Sequence, residues 1–89
     1  LSTIFNAIGC RVEVEKMIAT GRIDMVVETT NIIYVLELKL SNNGGIDAAT
    51  EQIRAKQYVE PFKADKRRVT ALAIELDDKG KGLTDWKEV

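Results

Sequence analysis

The chain has 89 residues, 30% of them charged, and its 14 acidic and 13 basic side chains leave a formal net charge of −1. That length predicts one domain with a modest core, since a domain this small buries only about 60% of the surface its unfolded chain exposes. The near-neutral balance gives no overall basic footprint for nucleic acid, and the absence of histidine excludes His-metal finger nucleases, two-histidine ribonuclease chemistry and Ser-His or Cys-His nucleophile pairs.

Cys10 is the single cysteine, which rules out an internal disulfide and agrees with a reducing compartment. No apolar run is long enough to span a bilayer, so no membrane partner and a cytoplasmic location are expected. The chain starts at Leu1 rather than Met, and the expectation is a C-terminal fragment of a longer protein.

Leu1, Ile4, Phe5 and Ile8 fall at helical spacing before Gly9, the pattern of a helix tail whose front is truncated. Residues 11–17 then alternate as a strand, with Val12 and Val14 against Arg11, Glu13 and Glu15. Glu15 is expected as a solvated strand residue rather than part of a site. After the turn at Ala19-Thr20-Gly21, two apolar runs rich in β-branched residues, split by Glu28-Thr29-Thr30-Asn31, predict a β-hairpin over residues 21–40.

The hairpin's charges fall at one end. Side chains two apart share a face of a strand, which puts Ile33, Val35, Glu37 and Lys39 on one side and Ile32, Tyr34, Leu36, Leu38 and Leu40 on the other. Apolar residues on both sides at its start predict a central strand covered on both faces. If Val27 faces Ile32, Asp24 lies opposite Val35; a register two residues longer sets it opposite Glu37. In either case Asp24, Glu37 and Lys39 converge. A tolerated ion pair accounts for one acid and the lysine but leaves one carboxylate over. Two acids with a lysine suit a divalent cation, since hard oxygen ligands hold Mg²⁺ while the ammonium faces a substrate.

Further along, Ser41-Asn42-Asn43-Gly44-Gly45 lacks the glycine spacing and the Lys-Ser/Thr of a phosphate loop and is expected as a turn. A helix is predicted over residues 46–59, with Asp47 near its start, Pro61 just past its end and a buried stripe of Ile46, Ala49 and Ile53. Gln52 and Lys56, four apart, are neighbours on it. Tyr58 is expected as a core or interface ring. Lys63 to Arg68 form a basic loop, ordinary as solvated charge but able to contact phosphate. Residues 69–76 predict a strand buried on both faces, reached by a right-handed crossover from the hairpin through the helix. A polar turn over residues 77–82 leads to a short edge strand over residues 83–89 with Trp86 packed inward.

Asp24, twelve intervening residues, then Glu37-Leu38-Lys39 resembles the D…(D/E)-x-K core of the PD-(D/E)XK nuclease superfamily. The surrounding residues strengthen the likeness: Gly21-Arg22-Ile23-Asp24 before the motif, and Ala48-Ala49-Thr50-Glu51-Gln52-Ile53 with Lys56, Tyr58, Pro61 and Phe62 after it. The wider pattern is similar to a bacterial branch whose nuclease domain follows an AAA-ATPase-like region. The resemblance implies an α/β, restriction-endonuclease-like fold with an α-β-β-β-α-β core, a mixed central sheet flanked by helices. It implies Mg²⁺, replaceable by Mn²⁺, held by Asp24, Glu37 and the Leu38 carbonyl, and hydrolysis of phosphodiester bonds in nucleic acid, with DNA the expected substrate. Lys39 would lie against the attacking water or the scissile phosphate, and Gln52 would orient a water or that lysine. Lys56, Arg67 and Arg68 would contact nucleic acid. Other partners it admits are an ATPase-like region upstream in the same chain and a second copy in a homodimer. The alternative is a catalytically inactive module with the same fold, used for nucleic-acid binding, protein contacts or dimerisation through an apolar patch around Tyr58, Phe62 or Trp86.

Overall fold

The computed structural model describes residues 10–89, so the helix expected over residues 1–8 lies outside the described residues. Strands β1 (Arg11–Ile18), β2 (Gly21–Glu28) and β3 (Ile32–Leu40) form an antiparallel meander. Helix α1 (Gly45–Ala55) then carries the chain to β4 (Arg68–Leu76), which pairs in parallel with β3, and β5 (Leu83–Glu88) closes the sheet antiparallel to β4. The spatial order β1-β2-β3-β4-β5 follows the chain. The single parallel contact is where α1 intervenes, as parallel neighbours require a crossover.

One face of the sheet holds the core. Val26, Ile33, Val35, Ala71 and Ala73 lie under Ala49 and Ile53 of α1, with Ile23 and Tyr58 completing the buried cluster. Burying each valine or isoleucine contributes about 1.5–3 kcal/mol. The alanines on facing elements let the helix approach the strands closely. The other face departs from expectation: Tyr34, Leu36, Leu38, Leu72 and Ile74 are only half-buried, and Trp86, expected inward, is 60% exposed. The pairing explains it. Trp86 sits opposite Ile74, which alternates with the buried Ala73, so its side chain falls on the face away from α1.

Both ends of α1 are set by backbone conformations that apolar periodicity does not reveal. At the start no local side chain caps the helix; instead Glu75 of β4 accepts a hydrogen bond from the Ile46 amide at 2.9 Å, placing a carboxylate at the positive end of the helix. Gly45, at φ 56°, makes room for it, since a Cβ there would collide with Glu75 Oε1. At the other end the helix stops at Ala55 rather than running to residue 59. Gln57 takes the left-handed φ of 51°, the Tyr58 amide donates to the Ile53 carbonyl and the Gln57 amide to the Arg54 carbonyl. This is a Schellman turn with glutamine where glycine is usual, and its apolar contact is between Ile53 and Tyr58, both buried.

A left-handed glutamine carries a steric cost that glycine lacks. Gln57→Gly is therefore expected to stabilise the protein by about 1 kcal/mol. Urea unfolding checks this: the midpoint should rise at unchanged slope, and a lower midpoint would contradict the assignment of the turn.

Candidate active site at the parting of β2 and β3

The register of the hairpin is the longer of the two expected, with Val27 opposite Tyr34 and Val26 opposite Val35. Regular pairing ends at Met25 and Leu36, and continuing the same register sets Asp24 across from Glu37. There the Asp24 carboxylate takes over a role of the backbone: its Oδ2 accepts a hydrogen bond from the Leu38 amide at 2.9 Å. An amide and a carbonyl of one strand residue point to the same edge, so the Leu38 carbonyl faces the same gap. On the other side of β2, pairing with β1 also skips Asp24, and the residue opposite, Glu15, has φ 54°. On the β1 side the ladder resumes at Lys16 and Ile23, so the sheet opens only towards β3.

Glu37 projects from β3 into the core face and is 1% exposed. Its Oε2 is 3.5 Å from Lys39 Nζ, and its Oε1 is 2.8 Å from the Tyr58 hydroxyl. That hydroxyl also accepts a hydrogen bond from Gln52 Nε2 at 2.9 Å and lies 2.8 Å from the Arg22 carbonyl oxygen. Burial pushes the Glu37 carboxyl above its ordinary value; the Tyr58 hydrogen bond and the Lys39 charge oppose the shift, and the Asp24 charge reinforces it. The Tyr58 phenol is pushed up by burial and by the neighbouring carboxylates.

A cleft of about 590 Å³ opens over these groups, lined by Met17, Gly21, Arg22, Asp24, Glu37, Leu38, Lys39, Asn43 and Gln52. The structure thus brings together Asp24, Glu37, Lys39, the Leu38 backbone and Gln52. Lys56 stands at the edge, its stem beside Gly21 where an added Cβ would meet it at 3.4 Å, while its carbonyl accepts the Thr20 hydroxyl. Arg67 and Arg68 are not brought to the cleft. Arg67 pairs with Asp65 and Glu28 at 2.8 Å each and donates to the Thr29 carbonyl at 3.1 Å, at the turn end of the hairpin. Arg68 faces Ile32, the first residue of β3, five residues from Glu37, or roughly 17 Å along the strand. Glu15 is exposed, with its carboxylate 3.7 Å from Arg22.

Three participants escaped the sequence. Tyr58 is wholly buried, as a core ring should be, but its hydroxyl reaches the site because the Schellman turn folds it back under the helix. Arg22 lines the cleft with its guanidinium 4.0 Å from Asp24, and Asn43 enters from the turn after β3. Arg22 and Tyr58 carried a signal, their places in the runs before and after the motif, but not their roles; Asn43 carried none.

The comparison with protein families agrees with this geometry: the family model described as the PD-(D/E)XK nuclease superfamily matches residues 1–86. The chain belongs to that superfamily. No curated protein matches it. The mixed five-stranded sheet with its crossover helix is the α/β, restriction-endonuclease-like core of the superfamily. No described helix is long and apolar enough to cross a membrane.

A nuclease fold of this kind implies Mg²⁺, and the residues fit it. Among the described residues no three His, Cys, Asp or Glu side chains converge into a cage; Glu75, the acid beside Lys39 in the sheet, has both oxygens engaged by Ile46 and Thr84. What remains is two carboxylates that raise each other's energy and a backbone carbonyl, all hard oxygen donors. Mg²⁺ is commonly bound through one or two carboxylates, with water and substrate phosphate filling its other positions.

Because the folded-state pKa of Glu37 lies above its unfolded value, its contribution to metal-free stability is fully present below about pH 4.5 and is lost as pH rises through the raised value. In EDTA, Glu37→Gln should therefore melt above wild type at pH 8, with the difference shrinking towards pH 4. Melting curves across this range decide it; a difference independent of pH would show that ionisation of Glu37 costs the fold nothing.

Proposed function

We propose that the protein is a Mg²⁺-dependent nuclease that hydrolyses phosphodiester bonds, with DNA as its substrate. The observation that carries this reading is the convergence of Asp24 and Glu37 across the parted strands, with Lys39 3.5 Å from Glu37, in an open cleft. Asp24, Glu37 and the Leu38 carbonyl would hold the cation; when bound, Mg²⁺ lowers the pKa of water and offsets charge on the phosphate oxygens.

The chain's own residues supply the rest. Lys39 donates to the non-bridging oxygens of the scissile phosphate or steadies the attacking water, as a compact ammonium held by Glu37. Asp24, fixed by the Leu38 amide, keeps one carboxylate oxygen directed at the gap. Lys56, at the cleft edge, meets the phosphate backbone of the bound strand. The wider motif supports a place beside an ATPase-like region of a longer bacterial protein in the cytoplasm. An inactive module of the same fold is the weaker reading, because a carboxylate 1% exposed beside a second acid costs stability that mere binding does not require.

Labelled single- and double-stranded DNA and RNA, incubated with the protein and Mg²⁺ or Mn²⁺, provide the test. Cleavage should require the metal, stop with EDTA and fall about 100-fold or more in Asp24→Ala and Lys39→Ala. Lys39→Arg should also fail to restore it, since the planar guanidinium does not replace a compact ammonium. Wild-type cleavage by Asp24→Ala would sink the site assignment.

A further inference from the structure

We infer that Tyr58 is a positioning residue for the Glu37 carboxylate, and that Gln52 acts through Tyr58 rather than on substrate. The inference rests on the nuclease reading above and assigns the hydroxyl a role in that site.

A buried hydroxyl without partners destabilises a fold, and this one, on a residue wholly removed from solvent, has three neighbours within 2.9 Å. They come from three elements: Gln52 on α1, the Arg22 carbonyl on β2 and Glu37 on β3. Their chemistry fixes the arrangement. The Gln52 nitrogen can only donate, so it occupies a lone pair of the phenol oxygen. The Arg22 carbonyl can only accept, as does Glu37 when ionised, so the single phenolic proton is directed to that side. Gln52, by filling a lone pair, keeps the proton on the side of these two acceptors, which share it.

The consequence falls on Glu37. Its Oε1 is turned inward to Tyr58 while Oε2 points towards Lys39. The carboxylate thus presents one oxygen to the gap it shares with Asp24. Without the hydroxyl, Oε1 loses its hydrogen-bond donor, which frees the carboxylate to turn away from the repelling Asp24 charge. Partners that orient metal-binding carboxylates typically affect metal affinity or activity by about 10–100-fold.

Tyr58→Phe keeps the ring in the core and removes only the hydroxyl. Mn²⁺ binding, measured by titration calorimetry without nucleic acid, should weaken about tenfold. In cleavage assays the half-saturating Mg²⁺ concentration should rise by a similar factor, with a smaller fall in the rate at saturating metal. A merely structural role would lower the melting temperature and leave the metal affinity of the folded protein intact. Gln52→Ala should weaken Mn²⁺ binding on its own yet add nothing in the Tyr58→Phe background. Wild-type Mn²⁺ affinity in Tyr58→Phe overturns the inference, and a full additional loss from Gln52→Ala in that background overturns the relay. If wild-type protein itself binds no Mn²⁺, the nuclease reading beneath the inference fails.

Discussion

The cleft exists because β2 and β3 stop pairing after Met25 and Leu36. Two strands that continued their ladder would seal the Leu38 backbone against β2 and leave no gap between the acids. Asp24 prevents this at low cost by giving the Leu38 amide a carboxylate acceptor in place of a carbonyl, so the donor is not orphaned when the strands separate. The charge-assisted hydrogen bond is stronger than the ladder bond it replaces. One residue thereby opens the sheet and holds an acid in the opening.

Across that gap the cost is larger, because Glu37 belongs to the buried row of β3 that also contains Ile33 and Val35. A carboxylate among such neighbours is destabilised by desolvation and held by Tyr58 and Lys39. Its position in the row follows from strand alternation, so the fold cannot move it to solvent without a register shift that would expose the two apolar residues as well. The same face carries Glu75 two residues beyond the partner of Glu37 on β4, and there the acid serves the fold. It caps α1, and α1 carries Gln52 and ends in the turn that delivers Tyr58. Two acids on one sheet face therefore divide the work, one held in the cleft and one orienting the helix above it.

Much of this was legible in the sequence because strand chemistry is local. Alternation places Glu37 and Lys39 on one face, the parallel crossover follows from a helix between two apolar strands, and either hairpin register brings Asp24 to their end. What escaped depended on the third dimension. The apolar pattern runs four residues past the end of α1 because Gln57 adopts a left-handed conformation that glutamine rarely signals. With the helix drawn through Tyr58, its hydroxyl had no route to Glu37. Trp86 was turned inward on hydrophobicity alone, whereas its face is decided by its partner Ile74 across the ladder. The sequence shows Arg67 only as part of a basic loop, whereas Glu28, distant in sequence, and Asp65, two residues away, both pair with it.

That last pairing gives the hairpin two unlike ends. At the turn, Arg67 joins Glu28, the Thr29 carbonyl and Asp65, and Thr29 binds the Ile32 amide through its hydroxyl, so β2, β3 and the loop before β4 are tied together by charge. The Asp65 carboxyl is held well below its ordinary range by these hydrogen bonds from Arg67. At the other end the strands part around Asp24. A hairpin free at both ends would fray from either side, and the gap between Asp24 and Glu37 would widen as the register loosened. The charged ties at the turn thus add to the buried row of Val26, Ile33 and Val35, which sets the register from which the other end opens.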